Sequence, residues 1–498
     1  MNFNYKIITV LSFAFLAMIM LPSCDKFEDL NTNPNEPTSV TPDVVLPGAI
    51  RQSVNASTNA SYLVGNVAAQ LAAKTLRLEV DAYTWNAFPN YWEQWYESLI
   101  DVKTVEDMAI ESGNEALQGA TIVLRSWIFQ NLTNAYGNVP YSEATAGSDL
   151  NFTPVYDNQQ SIYEGLLADL TKAESLLASG NGSIDGDILL NGEVANWRKF
   201  ANSLKLRLLM YAGDRISNVA SEFESIVNSG VYISSNAENV ALTYTGNAPN
   251  EFPVVPLKIG DFDAVAIGKT SRDILASYQD PRLMRFARPD NDDFTTFDSN
   301  QFSGDVNGSG SCDSLVGSRL GVQYYNYPGF TSASNLSLPM AQGIIMTYAE
   351  VEFLIAEAAA KGWILNDVET HYKAGIAASM EYHQVDLTPF AWTDFEDFYD
   401  NSGVAYSEVT DIWQQKWLAL FFHGLEPYFE VRRWYAESGN SFDGIPFLEP
   451  ACGNGNNDAL PLRFLYPGEE ELLNEENYKA AVDAIGGNSQ NAPMWIVQ

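Results

Sequence analysis

The stretch Ala349-Glu350-Val351-Glu352-Phe353-Leu354-Ile355-Ala356-Glu357-Ala358-Ala359-Ala360 decides the fold class. Val351, Leu354, Ile355, Ala358 and Ala359 recur at three- and four-residue steps, which places them on one face of an α-helix. After a short turn, Val368, Tyr372, Ile376 and Met380 repeat the pattern. The small residues permit close packing, so 349–360 and 367–380 read as a helical hairpin. Working outward, the same period appears in Leu63, Val67 and Leu71, and in Leu117, Ala120, Leu124, Ile128 and Leu132. It returns in Ile162, Leu166, Leu170, Ala173 and Leu177, with Asp157 and Gln160 in capping-box-like positions. Phe200, Leu204, Leu208 and Tyr211 continue it, then Ile412, Trp413, Lys416, Trp417 and Leu420. The expected fold is therefore dominated by α-helices, stacked as hairpins. Between 215 and 345 Gly, Asn, Ser, Asp and Pro replace the stripes, and 439–467 looks similar. Loops this long in a compact protein usually carry a binding surface.

Composition narrows the function. The chain has 498 residues, a formal charge of −36, 46% hydrophobic and 18% charged residues. That is a globular composition. Its acidity argues against nucleic-acid binding, which needs clustered Lys and Arg. The three His, at 371, 383 and 423, and the three Cys, at 24, 312 and 452, leave no multi-histidine or thiolate metal framework. No cofactor is expected. Neither a G-x-S-x-G elbow nor an H-E-x-x-H motif occurs, and no enzymatic activity is expected. Ile267-Gly268-Lys269-Thr270 imitates a phosphate loop, but Asp263 stands where that motif needs its first glycine.

Residues 1–23 read as a signal peptide. Lys6 precedes the apolar run Ile7–Leu21, which is short for a membrane span. Leu21-Pro22-Ser23-Cys24 follows directly and resembles the bacterial lipoprotein box, in which the Cys is lipidated (palmitate among its chains). Residues 24–43 would be the lipidated Cys and a tether, with Asn31-Thr32-Asn33-Pro34-Asn35-Glu36-Pro37 too polar to build a core. If Cys24 carries lipid, Cys312 and Cys452 are the remaining thiols, and an oxidising compartment would pair them as a disulfide.

Several blocks carry a resemblance. They are Asn134-Ala135-Tyr136-Gly137-Asn138-Val139-Pro140-Tyr141-Ser142-Glu143, Thr153-Pro154-Val155-Tyr156-Asp157, Trp197-Arg198-Lys199-Phe200-Ala201-Asn202, Asp280-Pro281-Arg282-Leu283, Gln415-Lys416-Trp417, Arg432-Arg433-Trp434 and Tyr466-Pro467-Gly468-Glu469-Glu470. In order and spacing they resemble the SusD/RagB family of nutrient-binding outer-membrane lipoproteins of Bacteroidota. The similarity is strongest to the branch with a Cys, acidic residues and Asn-Thr-Asn-Pro-Asn at the N-terminus. It implies a scaffold of tetratricopeptide-like helix pairs with an irregular, loop-rich ligand lobe. On this reading 44–498 is a single SusD-like domain. Its scaffold lies mainly at 60–215 and 345–425, its loop-rich lobe mainly at 215–345 and 380–410, and its C-terminal segment at 439–498. The resemblance also implies a lipid-anchored protein exposed on the outer membrane, which hands a nutrient to a SusC-like TonB-dependent transporter. Gly137 and Pro140 have a local meaning as a helix stop. Arg198, Lys199, Lys205 and Arg207, cations on an amphipathic helix of an acidic chain, are expected to be structural, bonding carboxylates or helix C-termini.

Rings in loops are the binding candidates. Tyr83, Trp85, Asn86 and Phe88 sit in a turn before the helically spaced Trp92, Trp95 and Tyr96, and Tyr324, Tyr325, Tyr327 and Phe330 form a second cluster. Flat rings give contact area at low entropy cost, and with Asn, Gln and Asp they suit sugars. These residues are expected to share a shallow exposed platform. The leading function is capture of an oligosaccharide. The alternatives are a peptide-binding member of the same family, an extracellular glycoside hydrolase and a scaffold without small ligand. Asp305, Asn307 and Asp313 fall at calcium-loop spacing, against the plainer reading of a Gly-Ser-rich surface loop.

Overall fold

The structure is a computed structural model that describes residues 41–498 apart from 246, 248–249, 309–316 and 326–340. Pro42–Gln498 forms one unit, and all that follows refers to it. Helix α1 (Pro42–Ala60) begins before the expected end of the tether and well before residue 60. The Thr-Pro-Asp text reads as linker, yet Pro suits a first helical turn, where no N–H is needed, and Asp43 complements the helix dipole there. Helices α2 (Pro89–Ser112) and α3 (Glu115–Tyr136) form the first long hairpin. Gly113 turns it at φ +69°, and the Asn114 side chain caps α3 by accepting the Leu117 N–H. Helices α4 (Gln159–Ala178) and α5 (Val194–Ala212) extend the stack, each packing on its predecessor. The cap of α4 is Asn158, which accepts from Ser161 N–H; Asp157 instead accepts from the Tyr141 and Ser142 N–H groups of the preceding turn. Short α6 (Val219–Ser229) packs on α5.

The irregular middle is held by two small antiparallel pairs. Strand β1 (Ala72–Lys74) pairs with β3 (Val265–Ile267), and β2 (Val240–Leu242) with β4 (Gly343–Met346). Helix α7 (Lys269–Ser277) follows β3. The stretch quoted first folds as α8 (Tyr348–Ala360) and its hairpin partner as α9 (Val368–Tyr382), packed on each other, and α11 (Val409–Ala419) rests on both. Short α10 (Phe395–Asn401) lies between them in sequence, and α12 (Glu426–Glu437) follows. Near the end come α13 (Gly468–Leu473) and α14 (Glu475–Ala484). Trp95, Trp127, Trp197, Trp417 and Trp434 are fully buried in the core.

Buried charge fastens the helices together. Arg207 of α5 forms a forked pair with Glu350 of α8 at 2.6 and 2.7 Å and reaches Glu426 of α12 at 3.2 Å. Arg433 of α12 forks onto Glu357 of α8 at 2.7 and 2.7 Å, and Lys416 of α11 donates to Glu430 at 2.7 Å. Burial raises the Glu357 carboxyl, but Arg433 and Lys416 outweigh it and hold the group at about 2. Arg198, Lys199 and Lys205 pair with Glu174, Glu238 and Glu222, as expected of them.

The last part of the chain folds back over the first hairpin. Phe464 N–H donates to Ala135 O at 2.7 Å, Arg463 Nη2 to Tyr136 O at 2.8 Å and Gln490 Nε2 to Tyr83 O at 2.7 Å.

Candidate functional site

The stripe Leu63, Val67 and Leu71 does not form a single helical face. Residues Ser61–Gly65 form a π-helical turn, after which a helical turn runs only to Ala68. The wider turn shifts the register, so Val67 and Leu71 are buried while Leu63 is 39% exposed. Gly65 explains how this turn fits: a Cβ there would collide with the carbonyl of Gly424. Such turns cluster at functional sites. A second departure faces the same hollow, because Arg77 holds φ +57°, a left-handed conformation unusual for its residue type.

Together they border a cleft of about 580 Å³ lined by Asn59, Leu63, Arg77, Phe88, Asn90 and Gln94. Its floor includes Val64, Val80 and Tyr91. Arg77 and Asn90 are exposed and Phe88 is half-buried. Beneath, Lys74 N–H donates to the buried Asp81 carboxylate at 2.9 Å, tying β1 to the loop. Burial pushes Asp81 up to about 6, with the Lys74 and Gly308 N–H groups opposing. Burial likewise lowers the Lys74 ammonium, against the pull of Asp81. The cleft thus offers an apolar floor ringed by amide and guanidinium groups, the combination that fits the apolar face and hydroxyl edge of a sugar.

The loop rings do not form the expected exposed platform. Tyr83 and Trp85 are 1% and 6% exposed. The Tyr83 hydroxyl donates to Ala68 O at 3.1 Å and Trp85 Nε1 to Val80 O at 2.8 Å. Trp85 is enclosed edge-on by Phe88, Tyr428 and Phe464, with centroids at 5.7, 5.2 and 5.4 Å. The physical reason is the returning C-terminal segment, which supplies Phe464 and Gln490 as a roof over a loop that looks open in sequence. Asn86 is exposed, and Phe88 lines the cleft. Tyr324 and Tyr325 belong elsewhere and are also buried. Tyr324 stacks on Phe422 at 4.1 Å, and Tyr325 stacks on Phe262 at 4.4 Å and donates to Leu257 O. No ring contact joins them to the Tyr83–Phe88 group among the described residues. Tyr327 and Phe330 lie outside the described residues, as do Cys24, Cys312 and Asp313. Cys452 is disulfide-bonded.

Of the residues at calcium-loop spacing, Asp305 and Asn307 are described. Asn307 is used as a clamp, donating to Val67 O and Ala72 O at 3.1 and 2.8 Å, and Asp305 is buried beside β3. Among the described residues no group of acids, His or Cys is placed to hold a metal ion. Sequence reasoning missed Leu63 and Arg77. Nothing in their local text marks them, since a π-turn and a left-handed arginine are set by packing.

Comparison with known proteins fits this architecture. A family profile for SusD-like proteins, described as starch-binding and associating with the outer membrane, matches residues 34–467. The chain therefore belongs to the SusD-like family. A SusD homologue from Bacteroides fragilis superposes with a TM-score of 0.75 at 23% identity, covering 92% of this chain and 100% of the other. An outer-membrane protein of Bacteroides vulgatus, to which a nutrient-binding role has been attributed, gives 0.74 at 26% identity with the same coverage. A chitin-binding SusD homologue from Flavobacterium johnsoniae gives 0.72 at 19% identity, covering 91% of this chain and 98% of its own. A search of curated proteins returns no match. No helix among the described residues is long and apolar enough to cross a membrane.

Proposed function

We propose that this chain captures an oligosaccharide in the cleft between the π-turn and Arg77, binds it without cleaving it, and passes it to a SusC-like TonB-dependent transporter. The observation that carries the reading is the cleft itself: an apolar floor at Val64, Val80 and Tyr91, with Leu63 and Phe88 beside the polar Arg77, Asn59, Asn90 and Gln94. The family's description as starch-binding supports it. So does the chitin-binding relative of the same fold. Anchoring through lipid at Cys24, with the protein facing outward, completes the proposal. Mass spectrometry of the mature N-terminus should show a lipid-modified Cys24, and an unmodified start beyond residue 24 would remove the anchor.

The decisive experiment is calorimetric titration of starch and chitin oligosaccharides, with peptides as a parallel series, into wild type and Arg77→Ala. Oligosaccharide binding weakened by the substitution, with no product on chromatography, supports the reading. Binding of peptides alone favours the peptide-capturing alternative, and released sugars would make the protein a hydrolase.

A further inference from the structure

A second cavity, of about 350 Å³, opens where β2 and β4 meet the C-terminal end of α9. Its wall holds three polar side chains that are each more than nine-tenths buried: Arg285 at 6%, Gln323 at 8% and His383 at 5% exposure. Each carries an atom with no hydrogen-bond partner, namely Arg285 Nη1, Gln323 Oε1 and His383 Nε2. Arg285 donates through Nε to the His383 carbonyl at 2.6 Å but forms no ion pair with an acid among the described residues. Of the other buried arginines, Arg207, Arg282 and Arg433 face carboxylates, while Arg432 and Arg463 each make two or more donations to backbone carbonyls, against the single one from Arg285. A guanidinium stays charged, and a buried charge without a counter-ion is unfavourable. None of the described residues lining the cavity is acidic. Burial, with the nearby Arg285 charge, keeps the His383 imidazole well below its usual range and so neutral.

We infer that this cavity is a binding site for a hydroxylated carboxylate, an acidic sugar residue of the uronic-acid class. Arg285 Nη1 supplies the donor for the carboxylate, Gln323 Oε1 accepts from a ring hydroxyl, and Tyr244, Tyr324 and Tyr382 give aromatic wall. An anion alone would leave the Gln323 acceptor unused; a sugar acid uses both. Thr243, Gln342, Tyr382 and Gln384 also line an adjoining hollow of about 420 Å³, where Glu193 and Glu381 would repel a second acid, so a neutral neighbouring sugar has room to continue the chain. The choice of a sugar rests on the glycan reading above, whereas the demand for a carboxylate does not.

Calorimetry with the mature protein tests this with three probes: glucuronate, glucose and acetate. Glucuronate should bind more tightly than either of the others, and Arg285→Gln should weaken it at least tenfold while retaining neutral-oligosaccharide binding at the Arg77 cleft. Gln323→Leu should weaken glucuronate and leave acetate unchanged. Undiminished glucuronate affinity in Arg285→Gln overturns the inference. If that variant does not fold, undiminished affinity in Gln323→Leu does the same. Acetate binding as tightly as glucuronate overturns the assignment to a sugar. Arg77→Ala reports on the first cleft alone, so the two readings fail separately.

Discussion

Trp85 shows how much a residue's role depends on partners remote in sequence. Roofed by Phe464 and hydrogen-bonded through Nε1, it is a core residue. Trp85→Ala should therefore lower stability by about 3–5 kcal/mol, read from chemical denaturation. Arg77→Ala should do the opposite: exposed and without a buried contact to lose, it should leave the melting temperature nearly unchanged while weakening oligosaccharide about tenfold, or about 1.4 kcal/mol. A large stability loss at Arg77 with unaltered affinity would return it to a structural role. The contrast also marks what the sequence discloses at this scale. Arg198, Lys199, Lys205 and Arg207 were legible as paired cations, because an acidic chain offers carboxylates on every side. Whether a loop aromatic is open or roofed was not, since the roof lies hundreds of residues away.

Among the elements, the long helices followed from their periodicity, and α8 and α9 match the stretches read as a hairpin almost residue for residue. The period failed at Leu63, where a π-turn inserts itself and where Gly65 meets Gly424 backbone to backbone. Gly65→Ala should cost about 1–3 kcal/mol through overpacking and distort the cleft wall, so affinity should fall together with the denaturation midpoint. The network joining α8, α11 and α12 makes a separate prediction. Glu357 sits at about 2 in the folded protein against an ordinary 4.5, so its contribution is full above about 4.5 and is lost as pH falls toward 2. Glu357→Gln leaves Arg433 and Lys416 under-compensated and should cost about 3–5 kcal/mol at neutral pH. Its stability should then vary less with pH between about 4.5 and 2 than that of wild type. Equal acid sensitivity in the two proteins would show that other carboxylates govern acid unfolding.

For the whole molecule, Cys452 is disulfide-bonded, and we propose Cys312 as its partner. Titration of denatured, unreduced mature protein should then find no free thiol at either position, and two free thiols would dispose of the pairing. Reduction should lower stability, by up to about 5 kcal/mol for a loop near 140 residues in the chain-entropy model.

The fold-back of the C-terminal segment has a consequence in time. Tyr83 O receives its hydrogen bond from Gln490, a separation of 407 residues. A chain made from its N-terminus emerges with the loop early and its roof last. The aromatic rings of the loop therefore stay uncovered until Phe464 and Gln490 have been made. A nascent chain that carries the first hairpin but not yet Phe464 leaves Trp85 and Phe88 without that cover, an apolar surface open to wrong partners.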